Sequence, residues 1–328
     1  MKVLVTGVAG YIGSHVAEEL LANGHTVFGI DNLSTGFLEF VDKRVKFDRA
    51  DLRNVIELEK AIREFAEAGG DSVIHCAGIK YAGESMKDPL HFYDTNVFGT
   101  LNLLRFVGQF KIQYFVFSSS CSVYGDPFEQ KPISEESNLL PVSPYGRSKL
   151  FAEKMIEDFS RASNVKFLIL RYFNVAGNSS KISLDVSEFN LLPNIYRAIE
   201  NKKAIKIFGD DFDTKDGTCI RDYVHVKSLA SSHLKALMLL KSDRQHDTVL
   251  NLGSGIGYSV KEIVNVCKEL IYSDLEFEVI PRRNGDPSLI LADTNKSRKL
   301  FGVNPEDNLD EIITSGWKSW REKTINVE

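Results

Sequence analysis

The length and composition of this chain predict two domains of ordinary size. Its 328 residues, 43% of them hydrophobic, can bury a sizeable core. A net charge of −5 without a long cluster of Lys or Arg argues against nucleic acid or a membrane surface as a partner, so local groups must meet any anionic ligand. The sequence has no apolar run of about 18 residues, which argues against a membrane-spanning helix.

The four cysteines predict neither a disulfide framework nor a metal centre. Cys76, Cys121, Cys219 and Cys267 are scattered without the spacing of metal ligands. The opening segment, 1–7, is too short to be the apolar part of a secretory signal. We therefore expect reduced cysteines, no metal and a cytoplasmic location.

The chain begins with a pattern that is typical of a strand, a glycine turn and a helix. A β-branched run at 3–5 leads to Gly7, Gly10 and Gly13, and helically spaced apolar residues follow. Glycines let a backbone approach a pyrophosphate, and a helix N-terminus offers N–H groups and a positive dipole end. The spacing G-x-x-G-x-x-G differs from the standard dinucleotide fingerprint, so the glycines alone are also compatible with a tight turn that binds nothing.

A second predicted strand, 25–30, ends at a carboxylate. Asp31 lies eighteen positions after Gly13, an offset that suits hydrogen bonds to an adenosine ribose. A carboxylate there also repels a 2′-phosphate, so the sequence favours NAD over NADP. Farther along, Asp51 and Leu52 could reach the adenine, although a simple turn explains this pair almost as well.

Further strands alternate with helices along the first half of the chain. Strands are predicted at 72–75 and 114–117, with helices at about 58–65 and 91–109. This alternation predicts an α/β fold with a Rossmann-like, doubly wound parallel sheet, in which ligands bind at the carboxyl ends of the strands. Ser120 follows one such strand, so its hydroxyl is either a substrate contact or an ordinary polar strand end.

The segment at 145–149 places a phenol and an ammonium on one side of a helix. At about 100° per residue, Lys149 lies roughly 40° from Tyr145, on an arc with Ala152 and Ile156. An ammonium on an apolar arc is costly unless a specific group accepts it. We therefore interpret the pair as catalytic; the alternative is a surface helix with an accidental Tyr and Lys.

The second half of the chain follows a looser pattern. We predict a domain boundary after residue 175, so that 1–175 forms the dinucleotide-binding domain and 176–328 forms a smaller α/β domain. Segments near 221–240 are expected to return to the first domain. A second Tyr and Lys with the same spacing, Tyr223 and Lys227, follows a strand-like alternation, so we expect no joint role for it.

Seven segments together resemble the extended short-chain dehydrogenases, and within them the UDP-sugar 4-epimerases of the UDP-glucose (UDP-galactose) 4-epimerase type. The segments are VTGVAGYIGSH at 5–15, IDNL at 30–33, FSSS at 117–120, SPYGRSK at 143–149, LRYFN at 170–174, DGTCIRDY at 216–223 and PRR at 281–283. The resemblance covers essentially the whole chain. It implies an NAD-dependent enzyme that interconverts UDP-glucose and UDP-galactose, with the second domain binding the UDP-sugar.

The resemblance also implies a role for individual residues. Tyr145 is the catalytic base, Lys149 supports it and binds the nicotinamide ribose, and Ser120 completes the site. The implied cofactor contacts are Gly7, Gly10, Tyr11, Ile12, Gly13, Asp31, Asn32, Asp51, Leu52, Ala77, Lys80, Asn96, Tyr145, Lys149 and Phe173. The implied UDP-sugar contacts are Ser120, Tyr145, Asn174, Asn190, Leu191, Phe208, Arg221, Arg283, Asp286 and Ile290. Relatives are commonly homodimers, built through the helix at about 91–109 and the helix that carries Tyr145.

The chemistry of these residues suits a 4-epimerisation. A free phenol has a pKa of about 10, so it is a poor base near neutral pH. Lys149 and the positive nicotinamide ring both favour the phenolate. Tyr145 would then take the proton of the sugar 4-hydroxyl while the C4 hydride passes to NAD, and the 4-keto sugar would turn over before the hydride returns.

Two other functions compete with this interpretation. A nucleotide-sugar dehydratase or decarboxylase on the same fold would place acidic residues directly after the strand-end hydroxyl, where this chain has Cys121 and Ser122. A cofactor-sensing protein without turnover is the second alternative, since a fold alone does not fix an activity. Ile290 stands where family members restricted to non-acetylated sugars carry a bulky Tyr, so we also expect activity on UDP-GlcNAc and UDP-GalNAc.

Overall fold

The structure is a computed structural model that describes residues 1–126, 130–242, 248–283, 286–301 and 308–322. The chain divides into two compact units. The first unit contains residues 1–125, 138–171 and 229–250, and the second contains residues 126–137, 172–228 and 251–328. Both units are therefore assembled from separate stretches of the chain.

Strands and helices alternate through most of the described residues. The strands are β1 (Lys2–Thr6), β2 (Thr26–Asp31), β3 (Lys46–Arg49), β4 (Ser72–His75), β5 (Tyr114–Ser120), β6 (Lys166–Tyr172), β7 (Asn174–Ala176), β8 (Ile205–Phe208), β9 (Ile220–His225), β10 (Thr248–Leu252), β11 (Gly257–Ser259), β12 (Phe277–Ile280) and β13 (Leu289–Ile290). The α-helices are α1 (Tyr11–Ala22), α2 (Val55–Glu67), α3 (Ala82–Lys87), α4 (Pro89–Phe92), α5 (Gly99–Gln109), α6 (Pro144–Ala162), α7 (Leu191–Asn201), α8 (Val226–Lys241), α9 (Val260–Leu270), α10 (Asn295–Phe301) and α11 (Leu309–Arg321). A π-helical segment, Tyr93–Phe98, joins α4 to α5. None of the helices in the described part of the chain has the length and apolar character needed to cross a bilayer.

The first unit is built on a seven-stranded sheet. The strand order is β10-β6-β5-β4-β1-β2-β3, and the strands from β1 to β5 pair in parallel. Central strands of a parallel sheet are covered on both faces, which explains why Val3, Leu4 and Val5 are all buried although they are consecutive. The prediction of a doubly wound, Rossmann-like α/β fold is confirmed.

Helix α6 begins where its sequence signals a start. Ser143 is the N-cap, and its hydroxyl oxygen accepts a hydrogen bond from the Gly146 N–H at 3.1 Å. Pro144 occupies the first helical position, where no N–H is needed. The cap fixes the phase of the helix, so that Lys149 faces the interior with 6% of its surface exposed.

The prediction of a single α-helix at about 91–109 is wrong, because the π-helical segment separates α4 from α5. The Thr100 hydroxyl donates a hydrogen bond to the carbonyl of Asn96 at 2.6 Å, at the junction with α5. The wider turn leaves the side chain of Asn96 directed at the backbone of Ile79, with which it exchanges two hydrogen bonds. Such insertions are frequent at functional sites, and this one positions a residue that the sequence assigned to the cofactor.

The second unit is organised by β9. It pairs antiparallel with β11 and in parallel with β7 and β13, while β8 and β12 form a separate parallel pair. The buried carboxylate of Asp222 holds this arrangement, since it accepts hydrogen bonds from Ser254, Gly255 and Ala292 at 2.7 to 3.1 Å. Four donors satisfy one buried charge, and they fix the position of the neighbouring Arg221.

Candidate active site

The glycine turn packs tightly against the start of α1. Gly7 has a φ of +71°, and its N–H donates to the Ile30 carbonyl at 2.8 Å. A Cβ atom on Gly13 would lie 2.0 Å from the Gly7 carbonyl oxygen, so only glycine fits there. The turn brings the backbone of Gly7 and Gly10 to the wall of a cleft.

This cleft encloses about 640 Å³ of empty space, part of it open to solvent. Its lining includes seven of the predicted cofactor residues: Gly7, Gly10, Asp31, Asn32, Asp51, Leu52 and Ala77. Residues that the sequence analysis did not identify complete the lining: Ile30, Ser34, Thr35, Gly36, Ala50, Cys76, Gly78, Ile79 and Thr95. Most of them are next to predicted residues in the chain. The predicted strand ends could therefore have been used to identify them.

At one end of the cleft, Asp31 presents a carboxylate that is held by backbone groups. Its two oxygens accept hydrogen bonds from the N–H groups of Ala9 at 3.0 Å and Leu33 at 2.8 Å. Burial raises the pKa of Asp31, and those N–H donors oppose the shift. A carboxylate has about four acceptor sites, so it retains capacity for ribose hydroxyl groups.

Asp51 occupies the rim of the same end. Arg53 binds its carboxylate with two hydrogen bonds of 2.9 and 2.8 Å, and the Asn32 amide donates a third at 2.8 Å. These contacts hold the pKa of Asp51 well below its usual range, with the Arg53 hydrogen bond as the largest cause. Two predicted cofactor residues, Asn32 and Asp51, thus fix each other.

The lining as a whole suits a dinucleotide. The backbone of the glycine turn and the N-terminus of α1 suit a pyrophosphate, and Asp31 suits a ribose. Ala50 and Leu52 are buried apolar residues that offer a wall for a base. The groups present therefore fit NAD.

Asn96 and Lys149 approach the cleft beside Gly78. A Cβ atom on Gly78 would lie 3.0 Å from Asn96 Oδ1 and 3.4 Å from Lys149 Nζ. The Asn96 amide also donates to the Ser148 hydroxyl at 2.9 Å, which ties the π-helical segment to α6 next to Lys149. Asn96 and Lys149 thus meet at one cleft residue, although neither belongs to the lining.

The other predicted cofactor residues lie farther along these elements. Tyr11 and Ile12 form the first turn of α1. Lys80 Nζ lies 5.2 Å from the centre of the Tyr81 ring, just before α3. Phe173 belongs to the second unit, where it is buried and its N–H donates to the Leu252 carbonyl at 3.0 Å.

Ser120, Tyr145 and Lys149 come together in the first unit. The half-buried Tyr145 phenol lies beside the Ser120 hydroxyl, which acts on its pKa and donates to Ser122 Oγ at 3.1 Å. Lys149 Nζ donates to the Ser118 carbonyl at 3.0 Å and lies 5.1 Å from the centre of the Phe117 ring. The end of β5 therefore contacts both polar groups that α6 presents.

Burial shifts the pKa values of this pair in opposite directions. It raises the pKa of Tyr145 to about 12, although the neighbouring Ser120 hydroxyl acts the other way. It lowers the pKa of Lys149 to about 8, against the effects of Cys76 and Glu153. Tyr145 can therefore serve as a base only when further positive charge approaches it.

Several predicted UDP-sugar residues are adjacent around β9 in the second unit. Ile290 of β13 is paired with Arg221, and Asn174 of β7 is paired with Tyr223. The Asn174 side chain also hydrogen-bonds the Tyr223 phenol. Tyr223 lies in β9 and Lys227 in the first turn of α8, so this second Tyr and Lys do not share a helix.

A cationic cluster lies beside this strand. The Arg283 guanidinium is 4.4 Å from the centre of the Phe208 ring, and its Nε is 3.1 Å from Asp286 Oδ2. Burial raises the pKa of the Cys219 thiol, and the charges of Arg221, Asp286 and Arg283 also act on it, so these side chains share one neighbourhood. Two arginines and an aromatic face suit a nucleoside diphosphate.

Asn190 and Leu191 stand at the start of α7. Asn190 is the N-cap residue, and its amide donates to Asp185 Oδ2 at 2.7 Å. Leu191 is the first residue of the helix. Nothing in the local sequence pattern marked this pair, and their assignment came from the family resemblance.

Each of the four cysteines is a free thiol. Across the described ranges, no group of three or more His, Cys, Asp or Glu side chains is arranged to hold a metal ion.

Known proteins resemble this chain over almost its full length. The model of the NAD dependent epimerase/dehydratase family matches residues 3–253. The UDP-glucose 4-epimerase of Lactobacillus helveticus is 41% identical over 323 residues, which cover 97% of this chain and 96% of that protein. The structure of UDP-glucose 4-epimerase from Bifidobacterium longum in complex with NAD+ and UDP superposes with a TM-score of 0.89, at 35% identity over 99% of both chains. The UDP-Glc/GlcNAc 4-epimerase of Campylobacter jejuni has a TM-score of 0.84, at 37% identity over 98% of this chain and 99% of that one.

Proposed function

The chain belongs to the NAD dependent epimerase/dehydratase family, and we propose that it is a UDP-glucose 4-epimerase, which interconverts UDP-glucose and UDP-galactose with NAD. The observation that carries this proposal is the joint placement of a phenol, a hydroxyl and an ammonium. Tyr145 lies beside Ser120, and Lys149 lies one helical turn farther on α6, beside the cleft that fits NAD. Relatives named as UDP-glucose 4-epimerases match along nearly the whole chain.

In this mechanism Tyr145 exchanges a proton with the sugar 4-hydroxyl, and Ser120 and Lys149 support it. Tyr145, as phenolate, accepts the proton of the sugar 4-hydroxyl, and the neighbouring Ser120 hydroxyl favours the phenolate by lowering its pKa. Lys149 supplies the positive charge that favours the phenolate. NAD, held by the residues that line the cleft, would supply the hydride acceptor and donor that the sugar C4 needs. Tyr145 then gives its proton back to the new 4-hydroxyl.

The second unit would hold the UDP part of the substrate. Arg221 and Arg283 are assigned to the diphosphate, and Phe208 and Asp286 lie beside Arg283. The remaining assigned contacts are Asn174, Asn190, Leu191 and Ile290. Firm binding of the UDP leaves the sugar free to rotate, which epimerisation requires.

The sequence after Ser120 argues against a dehydratase or a decarboxylase. Cys121 and Ser122 form a 3₁₀ turn there, and the Ser122 N–H donates to the Ser120 hydroxyl at 3.2 Å. Elimination needs an additional acid or base at this place, and neither side chain provides a carboxylate. The dehydratase alternative therefore lacks its proton donor.

The deciding experiment is turnover without added NAD. We expect the purified protein to convert UDP-glucose to UDP-galactose and the reverse, with the products separated by chromatography, because the cofactor is regenerated in each cycle. UDP-GlcNAc and UDP-GalNAc should also be interconverted, since Ile290 is smaller than tyrosine. Release of water or CO₂ from a UDP-sugar would support the alternatives, and no conversion of any of the four sugars would refute the proposal.

Asp31→Asn is expected to weaken NAD binding about tenfold and to remove the preference for NAD over NADP. The change removes a charged acceptor for ribose hydroxyls and the repulsion of a 2′-phosphate. Titrating cofactor-stripped protein with both dinucleotides measures the two Kd values. Asp42→Asn is the control, because Asp42 pairs with Arg44 outside the cleft. An unchanged ratio of the two Kd values would rule out this role.

We also propose that the chain forms a homodimer through the helices around α5 and α6. Leu90 and Phe98 precede and flank α5, Phe151 lies on α6, and all three are at least 40% exposed. Large exposed apolar side chains on neighbouring helices suit a second copy of the chain. The Tyr93 and Phe151 rings, 6.0 Å apart, link the two helical segments.

Phe151→Glu is expected to convert the dimer to a monomer with little loss of monomer stability, because the side chain is 49% exposed. Sedimentation velocity measures the mass of each form. Ile56→Glu is the control, since Ile56 is 82% exposed on α2, outside these helices. A wild-type protein that sediments as one chain would contradict the dimer proposal.

The cytoplasm is the location we propose. Free thiols are typical of proteins in reducing compartments. UDP-sugars and NAD would both be available to the enzyme there. Fractionation of cells that produce the tagged protein tests the assignment.

A further inference from the structure

We propose that Glu153 is a positioning residue for the reaction. It acts through its contacts with Ser119 on the end of β5 and Arg171 on β6, and through its charge on Lys149. The inference rests on the proposed function for its catalytic consequence. Glu153 lies one helical turn after Lys149 and two turns after Tyr145, on the same side of α6. None of the sequence motifs gave it a role.

Glu153 is fully buried and completely engaged. Its Oε1 accepts hydrogen bonds from the Ser119 hydroxyl at 2.5 Å and from Arg171 Nε at 2.9 Å. Its Oε2 accepts from Arg171 Nη2 at 2.6 Å. A carboxylate on α6 is thereby joined to side chains on β5 and β6.

Arg171 completes the pair from the end of β6. It is 2% exposed, and its Nη1 donates to the Tyr124 hydroxyl at 3.0 Å. Its guanidinium also lies 5.0 Å from the centre of the Tyr124 ring. Desolvation makes a buried ion pair expensive, and two apolar residues of the same volume often give equal or greater stability. Stability therefore does not explain the presence of this buried ion pair, and the residues around it indicate another role.

The first part of that reason is geometric. Ser119 stands between Ser118, whose carbonyl accepts a hydrogen bond from the Lys149 ammonium, and Ser120, which lies beside Tyr145. The Glu153 carboxylate binds Ser119 from the helix that carries both catalytic groups. It thus fixes the separation between the end of β5 and α6, and a small change in that separation would misplace both Ser120 and the ammonium.

The second part is electrostatic. Lys149 is faced by His75 and Cys76 from the end of β4, by Phe117 and Ser118 from β5, and by Tyr145 and Glu153 on its own helix. Burial lowers the pKa of His75 to about 3 and raises the pKa of Cys76 to about 11, so both are neutral at pH 7. Cys76 and then Glu153 raise the pKa of Lys149 against burial, and of these two only Glu153 contributes a negative charge at pH 7. Without it, the ammonium would lose its proton nearer to neutral pH.

The experiment compares three variants of the whole protein. Glu153→Gln removes the charge with almost no change in shape. Because a single change could leave Arg171 buried and unpaired and so prevent folding, Glu153→Gln combined with Arg171→Met provides a neutral pair. Glu157→Gln is the matched control, one turn farther along α6, where the carboxylate pairs with Lys154 at the surface.

The primary measurement is the pKa of Lys149 from the ¹⁵N resonance of its Nζ, identified by comparison with Lys149→Met. We expect a fall of about one pH unit in Glu153→Gln, a smaller fall in the double variant and no change in Glu157→Gln. The alkaline limb of the kcat profile should shift by the same amount, so that activity lost at pH 8 is recovered toward pH 6. A purely structural role would lower kcat equally at all pH values.

The result that overturns the inference is a folded double variant with the wild-type Lys149 titration. The NMR measurement does not require turnover, so it separates this inference from the proposed function. A shifted Lys149 pKa in a protein that converts no UDP-sugar would refute the epimerase and leave the role of Glu153 on Lys149 intact. Normal turnover with an unshifted pKa would refute the role of Glu153 alone.

Discussion

Tyr145→Phe is expected to lower kcat for UDP-galactose by about 10³-fold or more. The change removes one oxygen, and with it the group that exchanges a proton with the 4-hydroxyl; general bases of this kind contribute about 10²- to 10⁴-fold. The thermal midpoint and the affinity for NAD should change little, because the ring and its edge-to-face contact with Phe92, at 6.3 Å, remain. Initial rates and cofactor binding measured on the same preparation test both parts.

Tyr114→Phe is the control for this prediction. Tyr114 begins β5, at the opposite end of the strand from Ser120, and the substitution removes the same hydroxyl group.

A difference in ultraviolet absorbance between wild type and Tyr145→Phe, followed with pH, reports the pKa of Tyr145 directly. We expect that pKa to be about 12 in the stripped protein and lower when NAD is bound. Wild-type kcat in Tyr145→Phe would remove Tyr145 from the mechanism.

Lys149→Met is expected to stabilise the stripped protein while reducing kcat about 10²-fold or more. The ammonium supports the phenolate, so its loss raises the pKa of the base and disables proton transfer. The same ammonium is costly to the fold because it is 6% exposed in an interior site. The two effects of the substitution therefore have opposite signs.

The stability effect depends on pH in a defined direction. The pKa of Lys149 is about 8 in the folded protein, below its ordinary value of 10.5, so the folded state binds this proton less tightly than the unfolded chain. The loss of folding free energy caused by the buried ammonium is therefore largest below pH 8, decreases between pH 8 and 10.5, and disappears above that range. At pH 7 it is on the order of 3 kcal/mol. In denaturation experiments, the free energy of unfolding of Lys149→Met should exceed that of wild type at pH 7 and equal it near pH 11. A lower free energy of unfolding for the variant at pH 7 would contradict this account.

The local part of the fold could be predicted from the sequence because each signal lies within a few residues. The run from β1 through Gly7 and Gly13 to Asp31 needs only short-range patterns, and its geometry follows from glycine conformations and strand ends. The same reasoning identified Tyr145 and Lys149. The cofactor and sugar assignments beyond the cleft lining remain predictions from the resemblance.

The parts that the sequence analysis missed depend on partners far apart in the chain. Glu153 follows Lys149 by the same spacing that relates Lys149 to Tyr145, so periodicity could have placed it on the interior face. Its partner Arg171 lies on another element, however. A glutamate whose partner cannot be identified from the sequence is expected to lie at the surface. The π-helical interruption before α5 was missed for a similar reason, since it is stabilised by Asn96 contacts with Ile79 and Ser148.

The late position of β10 has a consequence during synthesis of the protein on the ribosome. Residues 1–171 leave β6 without its outer neighbour, because β10 (Thr248–Leu252) and the His233 ring, which contacts Ser118, come later in the chain. Translation of the intervening 80 or so residues takes roughly 4 to 16 s. Throughout that interval the nascent chain presents the edge of β6 that later pairs with β10, and an unpaired strand edge is a template for aggregation.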